Sequence, residues 1–267
     1  MFEPFRQFFK SKKTQPGAQA PAGERLYVIG DIHGRLDLFD ALIQAVEDDD
    51  RQQAPATTTI ILLGDLVDRG PHSAGVIGRA RAWQQQRPVR ILAGNHEEMF
   101  LESFDDTDVL RHFLKHGGRE TILSYGVDRK SYLDCSLDEL QALMRRHIPA
   151  EDIDFLRGFE EYIQLGDYVF VHAGINPGVP LAEQKRRDML WIRERFLQHT
   201  EPHSHVVVHG HTIFTDVDEQ HNRIGIDTGA YRNGRLTALV LEGDTRRIIQ
   251  TIQTGEVIAI EKRNTAT

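Results

Sequence analysis

Residues 26–34 read LYVIGDIHG: a short apolar run, 26–29, ends at a glycine and is followed at once by Asp31 and His33. Apolar side chains then recur at helical spacing from residue 36 to residue 46, within a stretch whose acidic end is Asp50. A buried strand, a polar loop and a helix are the simplest interpretation of this order.

The same order repeats along the chain. Residues 57–70 read TTTIILLGDLVDRG and residues 89–97 read VRILAGNHE, so two more apolar runs end at a glycine beside polar side chains. Further short strands are predicted at residues 168–171, 206–208, 224–226, 236–241 and 248–252. Strands that alternate first with helices and then with turns predict an α/β fold, a layered α-β-β-α sandwich of two mixed sheets.

The chain divides into three predicted parts. Residues 1–24, where phenylalanines alternate with basic residues before a Pro, Gly and Ala stretch, are predicted to be a flexible tail, with a weak membrane or partner contact left open. Residues 25–258 are predicted to form a single domain, with a helical cap region at about 98–165 beside the site. Residues 259–267 are predicted to be a C-terminal tail.

Composition restricts the classes of function. A length of 267 residues suits one α/β domain, and no apolar run is long enough to span a bilayer. The net charge of −8 argues against a general nucleic-acid surface. Because Cys135 is the single cysteine, an internal disulfide is excluded. These features predict a cytoplasmic protein without stable membrane insertion.

Eight polar side chains that follow the predicted strands have the chemistry of a two-metal hydrolytic centre. They are three carboxylates, one amide and four imidazoles: Asp31, Asp65, Asp68, Asn95, His33, His96, His172 and His211. On an extended segment Asp31 and His33 would point the same way and share one ion. Mixed oxygen and nitrogen ligands suit Mn²⁺, Fe, Co²⁺, Ni²⁺ or Zn²⁺.

The five motifs, in this order and spacing, resemble those of metallophosphoesterases of the phosphoprotein phosphatase family, particularly its compact bacterial and phage serine/threonine phosphatases. The resemblance covers roughly residues 25 to 243 and implies the calcineurin-like metallophosphoesterase fold. It also implies two divalent ions, with Mn²⁺ the choice that the family favours, and phosphorylated proteins or peptides as substrates. Activity on phosphotyrosine or small phosphate esters is also seen among bacterial members.

The resemblance assigns a role to each motif. The first metal would be held by Asp31, His33 and Asp65, and the second by Asp65, Asn95, His172 and His211. A hydroxide between the two ions would attack the phosphorus directly, without a phosphoenzyme.

The remaining motif residues are predicted to act on the substrate. His96 is the predicted general acid and Asp68 orients it. Arg69 and Arg193 are predicted to bind phosphate, with Arg195 as an alternative to Arg193. The segment 226–231 resembles a stretch near the metals of bacterial phosphatases.

Three other functions compete with a phosphoprotein phosphatase. Symmetrical hydrolysis of dinucleoside polyphosphates, such as diadenosine tetraphosphate, is a sister activity on the same fold. That group carries another residue type at the position of Asp68 and an aspartate at the position of Glu97, so both residues favour the phosphatase. A catalytically silent binding scaffold is disfavoured because every ligand and the predicted acid are retained. The nuclease branch is disfavoured because Ile213 replaces its final histidine.

Overall fold

A computed structural model describes residues 17–265 of the chain. Its strands are β1 (Glu24–Ile29), β2 (Thr57–Leu62), β3 (Val89–Ile91), β4 (Tyr162–Leu165), β5 (Tyr168–Val171), β6 (Val206–His209), β7 (Asp218–Glu219), β8 (Arg223–Gly225), β9 (Arg235–Glu242), β10 (Thr245–Thr254) and β11 (Val257–Asn264). Its α-helices are α1 (Leu36–Gln52), α2 (Ser73–Gln84), α3 (Asn95–Glu102), α4 (Thr107–Phe113), α5 (Arg119–Ser124), α6 (Arg129–Asp134), α7 (Leu137–His147), α8 (Ala150–Arg157), α9 (Arg186–Trp191), α10 (Glu194–Leu197) and α11 (Ala230–Asn233). A π-helical turn, Leu114–Gly118, joins α4 to α5, and a 3₁₀ turn, Leu181–Glu183, precedes α9.

The strands form two mixed sheets. The first has the order β11-β10-β9-β1-β2-β3 and the second the order β4-β5-β6-β8-β7. Parallel pairing joins β1, β2 and β3 in one sheet and β5, β6 and β8 in the other, while the remaining pairs are antiparallel.

Alternation along β1 shows how the layers are built. Leu26 and Val28 belong to the apolar cluster between the two sheets, whereas Tyr27 and Ile29 pack on the opposite face against α1. Each fully buried apolar side chain of this size stabilises the fold by about 1.5–3 kcal/mol. The second sheet is covered on its outer face by α9 and α10, so the predicted α-β-β-α sandwich is confirmed.

The predicted C-terminal tail is wrong. Residues 257–264 form β11, which pairs antiparallel with β10 along its whole length. Gly255, with φ 62°, makes the tight turn between the two strands, and Ile258 packs against the core. The apolar alternation after Gly255 therefore continues the sheet.

The predicted N-terminal tail is too long. Ala20 is buried in the apolar cluster between the two sheets, and its N–H donates to the carbonyl of Gly243 at 2.9 Å. Glu24 already begins β1. Residues 17–23 are therefore packed against the domain, while the aromatic and basic part of the predicted tail, 1–16, lies outside the described residues.

The predicted cap region contains α4 to α8 and ends in a strand. Ser136 and Glu139 form the predicted capping box at the start of α7. The last four cap residues, Tyr162–Leu165, are β4 of the second sheet instead of a helix. None of the helices among residues 17–265 has both the length and the apolar character needed to cross a bilayer.

Candidate metal centre

The loops that follow five strands meet at one edge of the sandwich. These are the loops after β1, β2 and β3 in the first sheet and after β5 and β6 in the second. Carboxyl ends of parallel strands share an edge of their sheet, which is where ligands collect in α/β folds. The five sequence motifs begin at these ends, so the topology brings them together.

The backbone of these loops adopts the left-handed conformation at unusual positions. Among residues 17–265, the non-glycine residues with positive φ are His33 (48°), Asp65 (50°), Asp68 (73°), Arg69 (69°) and His211 (63°). All five are predicted site residues. Such conformations cost energy and cluster at functional sites.

The expectation that the segment 31–33 is extended is therefore wrong at His33. The N–H groups of Ile32 and His33 both donate to the carbonyl of Asp65, at 3.1 and 2.8 Å. This double contact turns the chain toward the second motif. It is the turn, and not strand alternation, that places His33 in the centre.

One group of possible ligand atoms comes from His33, Asp65 and His96, which are buried and lie within 4.8 Å of one another. His33 Nε2 is 3.5 Å from Asp65 Oδ2, and His96 Nε2 is 4.0 Å from the same oxygen. His33 Nδ1 is 2.8 Å from the carbonyl of Val67. If Nδ1 carries the proton, this bond leaves the Nε2 lone pair for an ion.

A second group comes from Asp65, His172 and His211, with the same limit of 4.8 Å. His172 Nε2 is 3.4 Å from Asp65 Oδ1. The amide oxygen of Asn95 is 3.0 Å from His172 Nε2 and 2.8 Å from His211 Nδ1. The structure thus brings together all four residues predicted for the second metal.

Asp65 belongs to both groups, as a bridging carboxylate must. Burial alone would raise the pKa of Asp65, but the imidazoles of His172, His96 and His33 hold it well below its usual range. The carboxylate is therefore ionised and surrounded by nitrogen donors.

Asp31 joins neither group of ligand atoms. Its two oxygens accept the backbone N–H of His211, at 3.2 and 3.0 Å. Burial, followed by the charges of Asp227 and Asp65, raises the pKa of Asp31 well above its usual range. Asp31 therefore lies beside Asp65 within a cluster of carboxyl groups.

The donor set fits divalent metal ions. Burial lowers the pKa of His33, of His172 and, to about 2, of His211, so these imidazoles are neutral and able to act as ligands. His211 Nε2 and Asp227 Oδ2 are buried without a hydrogen-bond partner among the described residues. Neutral imidazoles, an ionised carboxylate and unpartnered buried atoms are what ions of the Mn²⁺ or Zn²⁺ class require.

His96 and Asp68 form a buried pair, as predicted. His96 Nδ1 is 2.6 Å from Asp68 Oδ2. Burial lowers the pKa of His96, but the charges of Asp65 and Asp68 outweigh it and the pKa is raised overall. The hydroxyl of Thr121, a residue outside the sequence motifs, donates to Asp68 Oδ1 at 2.6 Å.

Arg69 lies beside the first group of possible ligand atoms. Its guanidinium nitrogens are 2.9 Å from His33 Nε2 and 2.9 Å from His96 Nε2. The guanidinium carbon is 4.6 Å from the centre of the Tyr231 ring. Arg69 and Tyr231 therefore meet beside the ligands.

Arg193 and Arg195 are both exposed. The charge of Arg193 contributes to lowering the pKa of both His172 and His211. Arg195 lines a cavity with Asn176 and Trp191. Arg193 is therefore the better placed of the two for a phosphate group near the ions.

Glu97 has a structural role that the sequence motif did not reveal. Its carboxylate is buried and accepts four backbone N–H groups from the loops that carry the ligands. The donors are Asp65 (2.8 Å), Leu66 (2.7 Å), Val67 (3.3 Å) and Gly94 (2.9 Å). Glu97 thus fixes the loop of Asp65 to the loop of Asn95.

Replacing Glu97 by alanine is expected to lower the free energy of unfolding by about 3 kcal/mol or more, because each buried N–H left without an acceptor costs about 1–3 kcal/mol. Urea denaturation of the metal-free protein measures the change. Glu97→Gln, which keeps one acceptor oxygen, should lose less. A loss below about 1 kcal/mol in the alanine variant would contradict this role.

Comparison with known proteins points to one family. The family model "Calcineurin-like phosphoesterase" matches residues 24–236. Serine/threonine-protein phosphatase 2 of Escherichia coli (strain K12) is 25% identical over 218 residues, which are 79% of this chain and 90% of that protein.

The symmetrical bis(5'-nucleosyl)-tetraphosphatase of Acidovorax ebreus (strain TPSY) is 32% identical over 156 residues, which are 57% of this chain. The match spans only 44% of the length of that relative. Among solved structures, the cold-active protein-tyrosine phosphatase of a Shewanella species has a TM-score of 0.55 at 17% identity, covering 91% of this chain and 83% of that one. At this identity the likeness shows the fold alone.

Proposed function

The chain belongs to the calcineurin-like phosphoesterase family, and we propose that within it this protein is a metal-dependent phosphoprotein phosphatase that hydrolyses phosphoserine and phosphothreonine monoesters. The observation that carries the proposal is the buried pair of His96 and Asp68, joined at 2.6 Å. The chemistry of the leaving group explains why this pair is informative.

Cleavage of a phosphoserine ester releases an alkoxide, which is a strong base and needs a proton as the bond breaks. Symmetrical cleavage of a dinucleoside tetraphosphate releases a nucleoside diphosphate, whose terminal phosphate oxygen is a far weaker base. A positioned general acid therefore accelerates the first reaction much more than the second. A histidine held by a buried aspartate beside the ligands favours the monoester.

The chain's own residues supply the remaining steps. Divalent ions, when bound, would neutralise the phosphoryl oxygens and lower the pKa of water. Arg69 and Arg193 would each donate to the phosphate oxygens. Because His33 Nε2 cannot both accept from Arg69 and bind an ion, the Arg69 guanidinium must turn from His33 on metal binding, which frees its donors for substrate.

His96 would then give its Nε2 proton to the leaving oxygen. Asp68 accepts a hydrogen bond from Nδ1–H of the protonated imidazole and so fixes the direction of the ring. Thr121 in turn holds Asp68 through the other carboxylate oxygen. This arrangement keeps the acid oriented without contact between Asp68 and the substrate.

A second candidate function is symmetrical hydrolysis of dinucleoside polyphosphates. The similarity to the Acidovorax tetraphosphatase, 32% identical over 156 residues, favours it. Phosphorylated proteins and dinucleotides are both anionic, so the net charge of the chain does not separate them.

A substrate comparison separates the two functions. The Mn²⁺-loaded protein is incubated with a phosphoserine peptide, a phosphotyrosine peptide, p-nitrophenyl phosphate and diadenosine tetraphosphate, and kcat/KM is measured for each. We expect the phosphoserine peptide to be cleaved more efficiently than the dinucleotide. A dinucleotide preference of tenfold or more would replace the proposed function with the second candidate.

A further inference from the structure

A further buried carboxylate lies at the edge of the sandwich that carries the five motifs. Asp227 follows β8, in the second sheet, and only 2% of its surface is exposed. The loop is held by two backbone bonds: Ile226 N–H donates to the carbonyl of His209, and Phe214 N–H donates to the carbonyl of Asp227, both at 2.9 Å. The side chain therefore has a fixed position at the same edge as the five motifs.

A close backbone contact brings Asp227 to Asp31. A methyl group at Gly30 would be 2.6 Å from the carbonyl oxygen of Ile226, so the chains before the two aspartates touch. The charge of Asp227 raises the pKa of Asp31, and the charge of Asp65 raises that of Asp227. All three carboxyl groups thus lie in one buried cluster.

One oxygen of Asp227 is left free. Oδ1 accepts the N–H of Gly229 at 3.0 Å, whereas Oδ2 is buried and has no hydrogen-bond partner among the described residues. A buried carboxylate oxygen without a donor is costly, and most costly beside other carboxylates. Burial raises the pKa of Asp227 to about 6, in agreement with this environment.

We propose that Asp227 is an additional ligand of the metal centre, which binds a divalent ion through Oδ2. A divalent cation there would be the partner that Oδ2 lacks and would relieve the repulsion among the three aspartates. The inference concerns metal binding and does not depend on which phosphate ester is the substrate.

Asp227→Asn tests the proposal, since the amide keeps an oxygen for the Gly229 N–H and removes only the charge. Isothermal titration of the metal-free full-length protein with Mn²⁺ is expected to show one of two sites weakened by about 10- to 100-fold. The control, Asp216→Asn, removes the same charge from a carboxylate paired with Arg263, and it should bind both ions as the unaltered protein does.

Thermal denaturation gives a second readout that excludes a merely structural role. Without metal, Asp227→Asn should melt at or above the temperature of the unaltered protein, because a buried like charge is gone. Saturating Mn²⁺ should raise its melting temperature by less. Unchanged Mn²⁺ affinities, or a metal-free variant that melts lower or fails to fold, would overturn the proposal.

Discussion

Asp65→Asn is expected to lose both metal ions and to reduce the hydrolysis of phosphate monoesters by roughly 10⁴-fold or more. Asp65 is the one residue common to both groups of ligand atoms, with Oδ1 3.4 Å from His172 and Oδ2 3.5 Å from His33. A neutral amide cannot balance two dications. Metal ions stabilise the transition state by several kcal/mol, and each 1.4 kcal/mol is about a factor of ten in rate.

Metal content by elemental analysis and kcat/KM on p-nitrophenyl phosphate measure the two effects together. Asp216→Asn again serves as the charge-matched control and should keep both ions. The backbone N–H of His96 donates to Asp65 Oδ1 at 3.0 Å, and the amide oxygen of asparagine can still accept it. A variant that folds, keeps two ions and turns over at an unaltered rate would contradict the shared-ligand arrangement.

His96→Asn is expected to slow hydrolysis of a phosphoserine peptide by roughly 10²-fold or more while both ions remain bound. The loss should be much smaller for p-nitrophenyl phosphate, because its leaving group is a weak base that departs without a proton. The ratio of the two losses reports general-acid catalysis, which a change in folding or substrate binding would not reproduce.

Kinetics with both substrates and metal analysis of the same samples provide the test. His112→Asn, at an exposed histidine of α4, is the matched control and should behave as the unaltered protein does. His96 also lies within the first group of possible ligand atoms. Loss of an ion from His96→Asn would make it a ligand, and equal losses on both substrates would remove its role as acid.

One sequence pattern predicted both the fold and most of the residues that the structure brings together at the candidate centre. Buried strands that end at Gly30, Gly64 and Gly94 produce both the sheet and the loops that carry ligands, so a pattern of local composition was sufficient. The capping box at Ser136 was also predicted, because it involves only Ser136 and Glu139, three positions apart. Features that depend on contacts between residues far apart in the sequence could not be predicted from such local patterns.

Three residues illustrate that limit. Glu97 was recognised only as part of a motif, because three of its four N–H donors, at residues 65–67, become its neighbours only after folding. Thr121 lies in the cap, 53 positions from Asp68. The left-handed turn at His33 depends on the carbonyl of Asp65, which is not adjacent in the chain.

The candidate centre lies between loops of the two sheets, and this position has one more consequence. Asp31 and Asn95 come from the first sheet, whereas His172 and His211 come from the second, and Asp31 and His211 are 180 positions apart. Ions held between them would act as a cross-link that closes a very long loop of polypeptide. The supply of metal in the cell would therefore affect how long the two sheets stay packed together, as well as how fast the enzyme turns over.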